Sequence, residues 1–248
     1  MRPLVVVPTY NEIATLERVV SGALAADARL HVLVVDDGSP DGTGDLAEKL
    51  ALAGDGRVAV LHRRAKSGLG SAYKRGFEWG MARGYDVLCE MDADLSHNPA
   101  DLARLLAALE SADLAIGSRY VRGGGVVDWP LHRRLLSRMG NRYVRLITGM
   151  PLRDATAGFR AYRVPVVEEV NLDSLRAEGY AFQLEMALRT WRLGFAITEV
   201  PITFVERTEG ASKISRAIVV EALWRAALWG LRGPRRAAPT HPRSICSQ

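Results

Sequence analysis

Leu4-Val5-Val6-Val7-Pro8-Thr9-Tyr10-Asn11-Glu12 is a valine-rich apolar run that stops at a proline-bearing turn, and a helical pattern from Ile13 to Ala25 follows it. That order predicts strand, loop, helix. The unit recurs at His31 to Val35, a β-branched run ending in Asp36-Asp37-Gly38-Ser39-Pro40-Asp41-Gly42, with a helix predicted from Thr43 to Leu52. Val58 to Leu61 reads as a third strand, and Gly68-Leu69-Gly70 opens a helix that runs through Gly80. Val87 to Met91 is a fourth strand, ending at Asp92-Ala93-Asp94; a helix from Asp101 to Ser111 and a strand from Leu114 to Gly117 follow. Strands and helices alternating at this spacing predict a layered α/β domain with a doubly wound, mostly parallel sheet, whose ligands gather at the carboxyl ends of the strands. Both acidic pairs, Asp36-Asp37 and Asp92-x-Asp94, sit at such ends.

From Gly123 the texture changes to a glycine-rich hinge, then a basic amphipathic segment from Leu131 to Thr148. After the stretch Asp154 to Tyr162, a helix is predicted around Phe182 to Leu193 and a late strand from Phe195 to Phe204, interrupted at Pro201. The expected organisation is a catalytic domain over residues 1–213, an amphipathic C-terminal helix over 214–233, and a disordered tail over 234–248 that lacks apolar periodicity.

A chain of 248 residues with 48% hydrophobic side chains is long and apolar enough to bury a full core. The formal charge of +5 and a pI near 9.5 come mainly from arginine, much of it from Arg119 onward, and this asymmetry suggests an anionic partner. The two cysteines, Cys89 in an apolar run and Cys246 near the end, give neither a disulfide framework nor a zinc site, which fits a reducing, cytoplasmic setting. Arg2-Pro3 and the short strand after it do not read as a signal peptide. No stretch reaches the roughly 18 uncharged apolar residues of a membrane span, since Ala217 to Leu231 carries Glu221 and Arg225. The chain is expected to lie on a membrane without crossing it.

Asp92 and Asp94 place two carboxylates at the mouth of the sheet, the outline of a hard-oxygen site for a divalent ion completed by diphosphate oxygens and water. Such a pair is also common in solvated turns, and its place at a strand end is what raises its interest. Asp36 and Asp37 are candidates for hydrogen bonds to a nucleobase or ribose, while Asp41 suits a cap of the following helix. The loop Lys66-Ser67-Gly68-Leu69-Gly70 allows close approach to a phosphate or base, although a short glycine loop is a frequent turn.

Taken in order, Val7-Pro8-Thr9-Tyr10-Asn11-Glu12, Val35-Asp36-Asp37-Gly38-Ser39-Pro40-Asp41-Gly42-Thr43, Lys66-Ser67-Gly68-Leu69-Gly70-Ser71-Ala72, Met91-Asp92-Ala93-Asp94-Leu95-Ser96-His97 and Gly117-Ser118-Arg119-Tyr120 resemble the inverting family 2 glycosyltransferases. The later blocks Trp129-Pro130-Leu131-His132-Arg133, Asp154 to Tyr162 and Phe204 to Lys213 resemble a narrower group, the dolichol-phosphate or polyprenol-phosphate mannose synthases. The resemblance covers about Leu4 to Lys213. It implies a GT-A-like fold with amphipathic membrane-facing helices and transfer of a sugar, mannose from GDP-mannose first, to a polyprenyl phosphate. By position it implies nucleoside contacts at Pro8, Tyr10, Glu12 and Asp37, with Lys66 in the same donor-binding set. It implies Mg²⁺ or Mn²⁺ at Asp92 and Asp94, and phosphate binding at Arg119, Arg133, Arg207 and Lys213. Relatives often carry Gln two positions after the second aspartate, where it helps bind metal; this chain has Ser96, so its metal affinity or preference is open.

A lipid phosphate is already an anion at neutral pH and attacks sugar C1 without a strong general base, so positioning and charge stabilisation carry the catalysis. Asp154 is a candidate to orient one of the arginines, to approach the acceptor, or to cap the next turn. Two segments offer a membrane-facing surface: Ile214 to Leu231 with Trp224 and Trp229, and Leu131 to Ile147, whose arginines stand beside Leu135, Leu136 and Met139. Packing on the core is the plainer reading of each. The expected location is peripheral, on the cytoplasmic face, with a separate membrane protein as a candidate anchor. UDP-glucose and UDP-N-acetylglucosamine are the alternative donors. A sugar-1-phosphate nucleotidyltransferase would need a glycine-rich loop and a lysine where Pro8 to Glu12 stand. A noncatalytic nucleotide- or nucleic-acid-binding module fits the pI, yet the basic residues lack interleaved aromatics, and the acidic pairs repel phosphate without a metal, so nucleic acid is not expected.

Overall fold

The computed structural model describes residues 1–175, 179–206, 224–230 and 237. Its strands are β1 (Pro3–Thr9), β2 (His31–Asp36), β3 (Val58–His62), β4 (Val87–Glu90), β5 (Leu114–Ser118), β6 (Gly125–Val127), β7 (Arg160–Arg163), β8 (Ile197–Pro201) and β9 (Thr203–Val205). The helices are α1 (Leu16–Ala26), α2 (Thr43–Ala53), α3 (Leu69–Met81), α4 (Leu102–Ala108), α5 (Leu131–Thr148), α6 (Val164–Val170) and α7 (Gly179–Arg192). The main sheet has the order β3-β2-β1-β4-β7-β5-β8, and β6 pairs with β9 in a small second sheet. Every pairing in the main sheet is parallel except those of β7, which runs antiparallel between β4 and β5.

The continuous apolar runs have a physical reason. Leu4 to Val7 and Val32 to Val35 are fully buried because helices cover both faces of the sheet. On one face α3 packs so closely that a methyl group on Gly76 would come within 2.4 Å of Val6 Cγ1. Since the strands are parallel, the carboxyl ends of β1, β2, β4 and β5 meet along one edge, and the chain reverses its direction of winding where β1 separates β2 from β4.

Beside the unexpected short strand β6 and helix α6, three features differ from the sequence expectation in an instructive way. The stretch Asp154 to Tyr162 ends in β7, a strand that local pattern does not announce because it carries Arg160, fully buried, at its start. The single late strand is two, β8 and β9, broken at Ile202: Pro201 ends the main-sheet pairing and the chain continues against β6. Of the C-terminal segment, residues 224–230 are described and helical. There Ala226 is buried and Trp229 packs on the core rather than facing outward, whereas Trp224 is 65% exposed. No helix among the described residues is long and apolar enough to cross a membrane.

Candidate active-site cleft

The loops at the strand ends enclose a cleft of about 430 Å³. Pro8, Tyr10, Glu12, Asp37 and Lys66 line one end, and Asp92, Asp94, Arg119 and Arg133 continue it. Residues from distant parts of the chain that were singled out by sequence thus share one surface. Arg207 and Lys213 lie outside the described residues.

The two aspartates that end β2 separate in role. Asp36 turns into the protein, accepting hydrogen bonds from Thr9 Oγ1 (3.1 Å), the Ser39 amide (3.1 Å) and Ser39 Oγ (2.5 Å). It builds the turn and is not a cleft residue, which corrects its candidacy as a ligand contact. Asp37 faces the cleft and forms an ion pair with Arg63 at 3.1 Å. Burial pushes its carboxyl above the ordinary range, with Arg63 pulling the other way. Asp41 stands one residue ahead of the N-cap of α2, Gly42, and accepts from the Thr43 amide at 3.0 Å and the Ile13 amide at 3.3 Å. Lys66 Nζ stands 4.5 Å over the Tyr10 ring, a cation held against an aromatic face at the same end of the cleft.

Asp92 and Asp94 are held by different means. Asp92 Oδ1 accepts from Tyr73 Oη at 3.2 Å, and Tyr73, fully buried, is kept a neutral donor because burial raises its pKa. Asp94 Oδ1 accepts from the amide and hydroxyl of Ser96, at 3.1 and 2.6 Å, across a turn that puts Leu95 at φ 60°. Ser96 therefore orients the carboxylate. Two carboxylates with fixed outer oxygens, facing a cleft, fit a hard divalent ion that takes its remaining ligands from substrate oxygens and water. Among the described residues no group of three or more His, Cys, Asp or Glu gathers as a self-sufficient metal cage.

The far end of the cleft is basic. Arg119, 5% exposed, is bound by Asp154, which is fully buried; Nε donates to Oδ2 at 2.7 Å and Nη2 to Oδ1 at 2.6 Å. Asp154 thus takes the first of its three expected roles. Arg133 pairs with Glu206 and lies 4.2 Å over the Trp129 ring. His97, between the acidic and basic parts, stacks on Phe159 with ring centroids 5.0 Å apart and meets the edge of Phe204 at 5.4 Å. Burial pushes its pKa down to about 4, so it is a neutral ring at pH 7. Tyr73, His97 and Gln183 were not singled out by sequence reasoning. Tyr73 meets Asp92, and His97 meets Phe159 and Phe204, across elements that the sequence does not place together, and of the three only His97 stood inside a recognised block.

Comparison with known proteins agrees with this geometry. The family model "Glycosyl transferase family 2" matches residues 4–170. A polyprenol monophosphomannose synthase of Mycolicibacterium smegmatis is 52% identical over 233 residues, covering 94% of this chain and 88% of the relative. An undecaprenyl-phosphate mannosyltransferase of Micrococcus luteus is 53% identical over 231 residues, covering 93% and 95%. Among solved structures, a mannosyltransferase of Pyrobaculum calidifontis in complex with GDP-Man and Mn²⁺ superimposes with a TM-score of 0.65 at 17% identity, over 96% of this chain and 66% of that one. The glucosyl-3-phosphoglycerate synthase of Mycobacterium tuberculosis, in complex with Mn²⁺, UDP and glucosyl-3-phosphoglycerate, gives a TM-score of 0.60 at 23% identity, over 92% of this chain and 78% of that one. At these identities the two structures speak for the fold alone. The family match over most of the chain and the two close relatives decide the assignment: this chain belongs to glycosyl transferase family 2.

Proposed function

We propose that the chain transfers mannose from GDP-mannose to the phosphate of a polyprenyl lipid, with inversion at the sugar C1, to give polyprenyl-phosphate mannose. The observation that carries this reading is one cleft with an acidic pair, Asp92 and Asp94, at its centre and a fixed arginine, Arg119, beyond it. The curated relatives, both above half identical over most of their length, make polyprenyl- or undecaprenyl-linked mannose by name.

In this reading Pro8, Tyr10, Glu12 and Asp37 hold the nucleoside, with Lys66 beside them, and Asp92 and Asp94 hold Mg²⁺ or Mn²⁺. Bound there, the ion neutralises charge on the departing nucleoside diphosphate. Arg119 and Arg133 bind the acceptor phosphate, with Arg207 and Lys213 assigned to the same task by resemblance. A guanidinium suits this because it carries five donors and stays charged at any working pH, so it can be held by a carboxylate and still attract a phosphate. The acceptor oxygen is already anionic, so the protein positions it in line with C1 and supplies no base.

The acceptor is a lipid, and α5 supports attachment to a bilayer. Its sequence contains no acidic residue and its buried face is small and polar at Asn141 and Thr148. Its outward face mixes apolar and basic side chains: Leu131 is 80% exposed and Leu135, Leu136 and Met139 near 60%, beside exposed Arg138, Arg142 and Arg145. We assign this helix to the headgroup layer of an anionic membrane on the cytoplasmic side, with or without an anchoring partner protein. The experiment that tests the activity is a screen of radiolabelled GDP-mannose, UDP-glucose and UDP-N-acetylglucosamine with a short polyprenyl phosphate, with and without Mn²⁺. Metal-dependent labelling of lipid from GDP-mannose is expected; labelling from a UDP-sugar alone would overturn the donor assignment.

A further inference from the structure

Gln183 is 2% exposed and lines the cleft; its carboxamide reaches toward the buried Glu90 carboxylate, but neither Oε1 nor Nε2 completes a well-formed hydrogen bond among the described residues. A buried carboxamide whose hydrogen bonds are incomplete is costly, and such a group at a binding site is explained most simply by a ligand that completes them. Its surroundings locate that ligand. A methyl group built on Gly158 would meet Asp92 Oδ2 at 3.7 Å and Gln183 Nε2 at 3.8 Å, so the Gly158 backbone, Asp92 and Gln183 border one small space with ordinary van der Waals room in it.

The reaction requires a sugar in that region. With the nucleoside toward Tyr10 and Asp37, the diphosphate at Asp92 and Asp94 and the acceptor phosphate at Arg119, C1 must lie between leaving and attacking oxygens. The hexose ring then rests on the floor formed by Asp92, Gly158 and Gln183. A carboxamide is well matched to a sugar hydroxyl, since it offers both an acceptor and donors and carries no charge to compete for the metal.

We propose that Gln183 reads a hydroxyl of the transferred hexose from the floor of the cleft, and that Gly158 keeps open the space in which that hydroxyl sits. This rests on the mannosyl-transfer reading and adds a specificity-determining residue to it. The rival role for Gln183 is internal. Glu90 lies behind it, fully buried, and burial pushes the Glu90 pKa up to about 7, with Arg160, Gln183 and Tyr162 each pulling it back. A carboxamide that only served Glu90 would affect stability and leave sugar discrimination alone.

The test compares wild type with Gln183→Met, which keeps the volume and removes the hydrogen bonds. Three quantities are measured with Mn²⁺: the GDP inhibition constant, the ratio of kcat/KM for GDP-mannose over GDP-glucose, and Tm. The expected result is a GDP constant within about twofold of wild type and a discrimination ratio reduced about tenfold or more, the scale of a lost hydrogen bond to a substrate hydroxyl. Loss of GDP affinity in parallel would mean that Gln183 acts through Asp92 and the metal, and an unchanged ratio with a lowered Tm would mean that it serves Glu90; either result overturns the proposal. If Gln183→Met does not fold, Gly158→Ala decides, because its methyl touches no protein atom closely and intrudes only on the sugar. Its kcat/KM for GDP-mannose should fall at least about tenfold with GDP inhibition intact, and an unchanged value overturns the proposal. Should wild type use a different sugar nucleotide, the mannose reading fails by itself, and the same ratio is measured for that donor and its epimer.

Discussion

Asp154 grips Arg119 by three hydrogen bonds, two from the guanidinium and one at 2.9 Å from the Arg119 backbone amide to Oδ2. Asp154 is itself seated by a hydrogen bond from its own amide to Glu199 Oε1 at 2.9 Å, so a residue of β8 supports the pair. The arginine at the acceptor end is therefore fixed in position and plane before any substrate arrives. That is the form of preorganisation that charge stabilisation requires.

Breaking this pair should cost both stability and activity. Asp154→Asn removes the charge opposite a buried guanidinium, and loss of one partner of a buried ion pair costs roughly 3–5 kcal/mol. A clear drop in Tm is expected, together with a raised KM for the lipid acceptor. Arg119→Lys keeps the charge but not the fork, and should lower kcat/KM for the acceptor while leaving GDP affinity unchanged. Thermal unfolding and acceptor titrations check both; an Asp154→Asn protein as stable and active as wild type would remove Arg119 from the proposed acceptor site.

Asp94→Ala should abolish transfer, by at least about 100-fold in kcat, while the fold remains intact. Near wild-type turnover at saturating Mn²⁺ would sink the metal assignment. Ser96→Ala tests the outer support of the same carboxylate. It should raise the Mn²⁺ concentration needed for half-maximal rate by about tenfold, the lower end of what loss of such a partner costs a metal site.

The first half of the fold was legible because β1 and β2 are apolar runs buried in a parallel sheet, each ending at a turn rich in Asp, Gly or Pro, and because the strand-helix spacing repeats through β3 and β4. β7 was not legible. Arg160-Ala161-Tyr162-Arg163 becomes a strand only because Arg160 finds acceptors in the carbonyls of Ala155, Ala157 and Gln183, which no local pattern reveals. The site followed the same division. Acidic clusters at strand ends mark the cleft, but the sequence does not say that Asp36 turns inward while Asp37 faces the ligand. Gln183 is silent in sequence for a related reason: on a helix a lone glutamine reads as a polar-face residue, and only the packing of α7 against the strand-end loops buries it in the cleft.

Asp37→Asn should weaken donor binding more than it slows chemistry, because a nucleoside contact far from C1 acts through uniform binding. The KM for the donor and the GDP inhibition constant should rise together with kcat little changed. Asn is preferred to Ala since it keeps a polar group beside Arg63, 3.1 Å from the carboxylate. An unchanged donor KM would count against the nucleoside role.

His97 should make folding stability fall in mild acid. Its folded pKa is about 4 against an ordinary 6.5, so between these values the unfolded chain binds a proton that the folded protein refuses. The stabilisation is complete above pH 6.5 and is lost as the pH drops toward 4, by at most about 3 kcal/mol. Glu90, with its pKa raised from 4.5 to about 7, acts in the opposite sense, favouring the fold at low pH and losing that advantage as the pH rises through 7. Chemical denaturation of wild type and His97→Asn from pH 4 to 7.5 separates the two. The stability difference between them should shrink as the pH falls, and a difference that stays constant would mean that His97 is not held neutral.

The outward face of α5 should bind membranes without contributing to the fold. Leu135, Leu136 and Met139 are exposed, so replacing all three with Ser should leave Tm within a degree or two and preserve activity on a short, water-soluble polyprenyl phosphate. Binding to vesicles rich in anionic lipid should fall, since each large side chain withdrawn from the interface forfeits up to about 1.5–3 kcal/mol. Replacing Arg138, Arg142 and Arg145 with Gln tests the electrostatic part, which is worth about 1 kcal/mol for each arginine near the surface and is screened by salt. Wild type should therefore loosen from vesicles at high salt without detaching fully, and the Gln variant should bind weakly at any salt concentration. Truncation after Lys213 provides the comparison with the C-terminal segment, in which Ala226 is buried and Trp229 packs on the core, so a fall in Tm is expected there. Co-sedimentation of the three proteins at low and high salt, with long and short acceptors assayed in parallel, decides between the surfaces: if the Ser variant binds vesicles as well as wild type, α5 is not the membrane-facing helix.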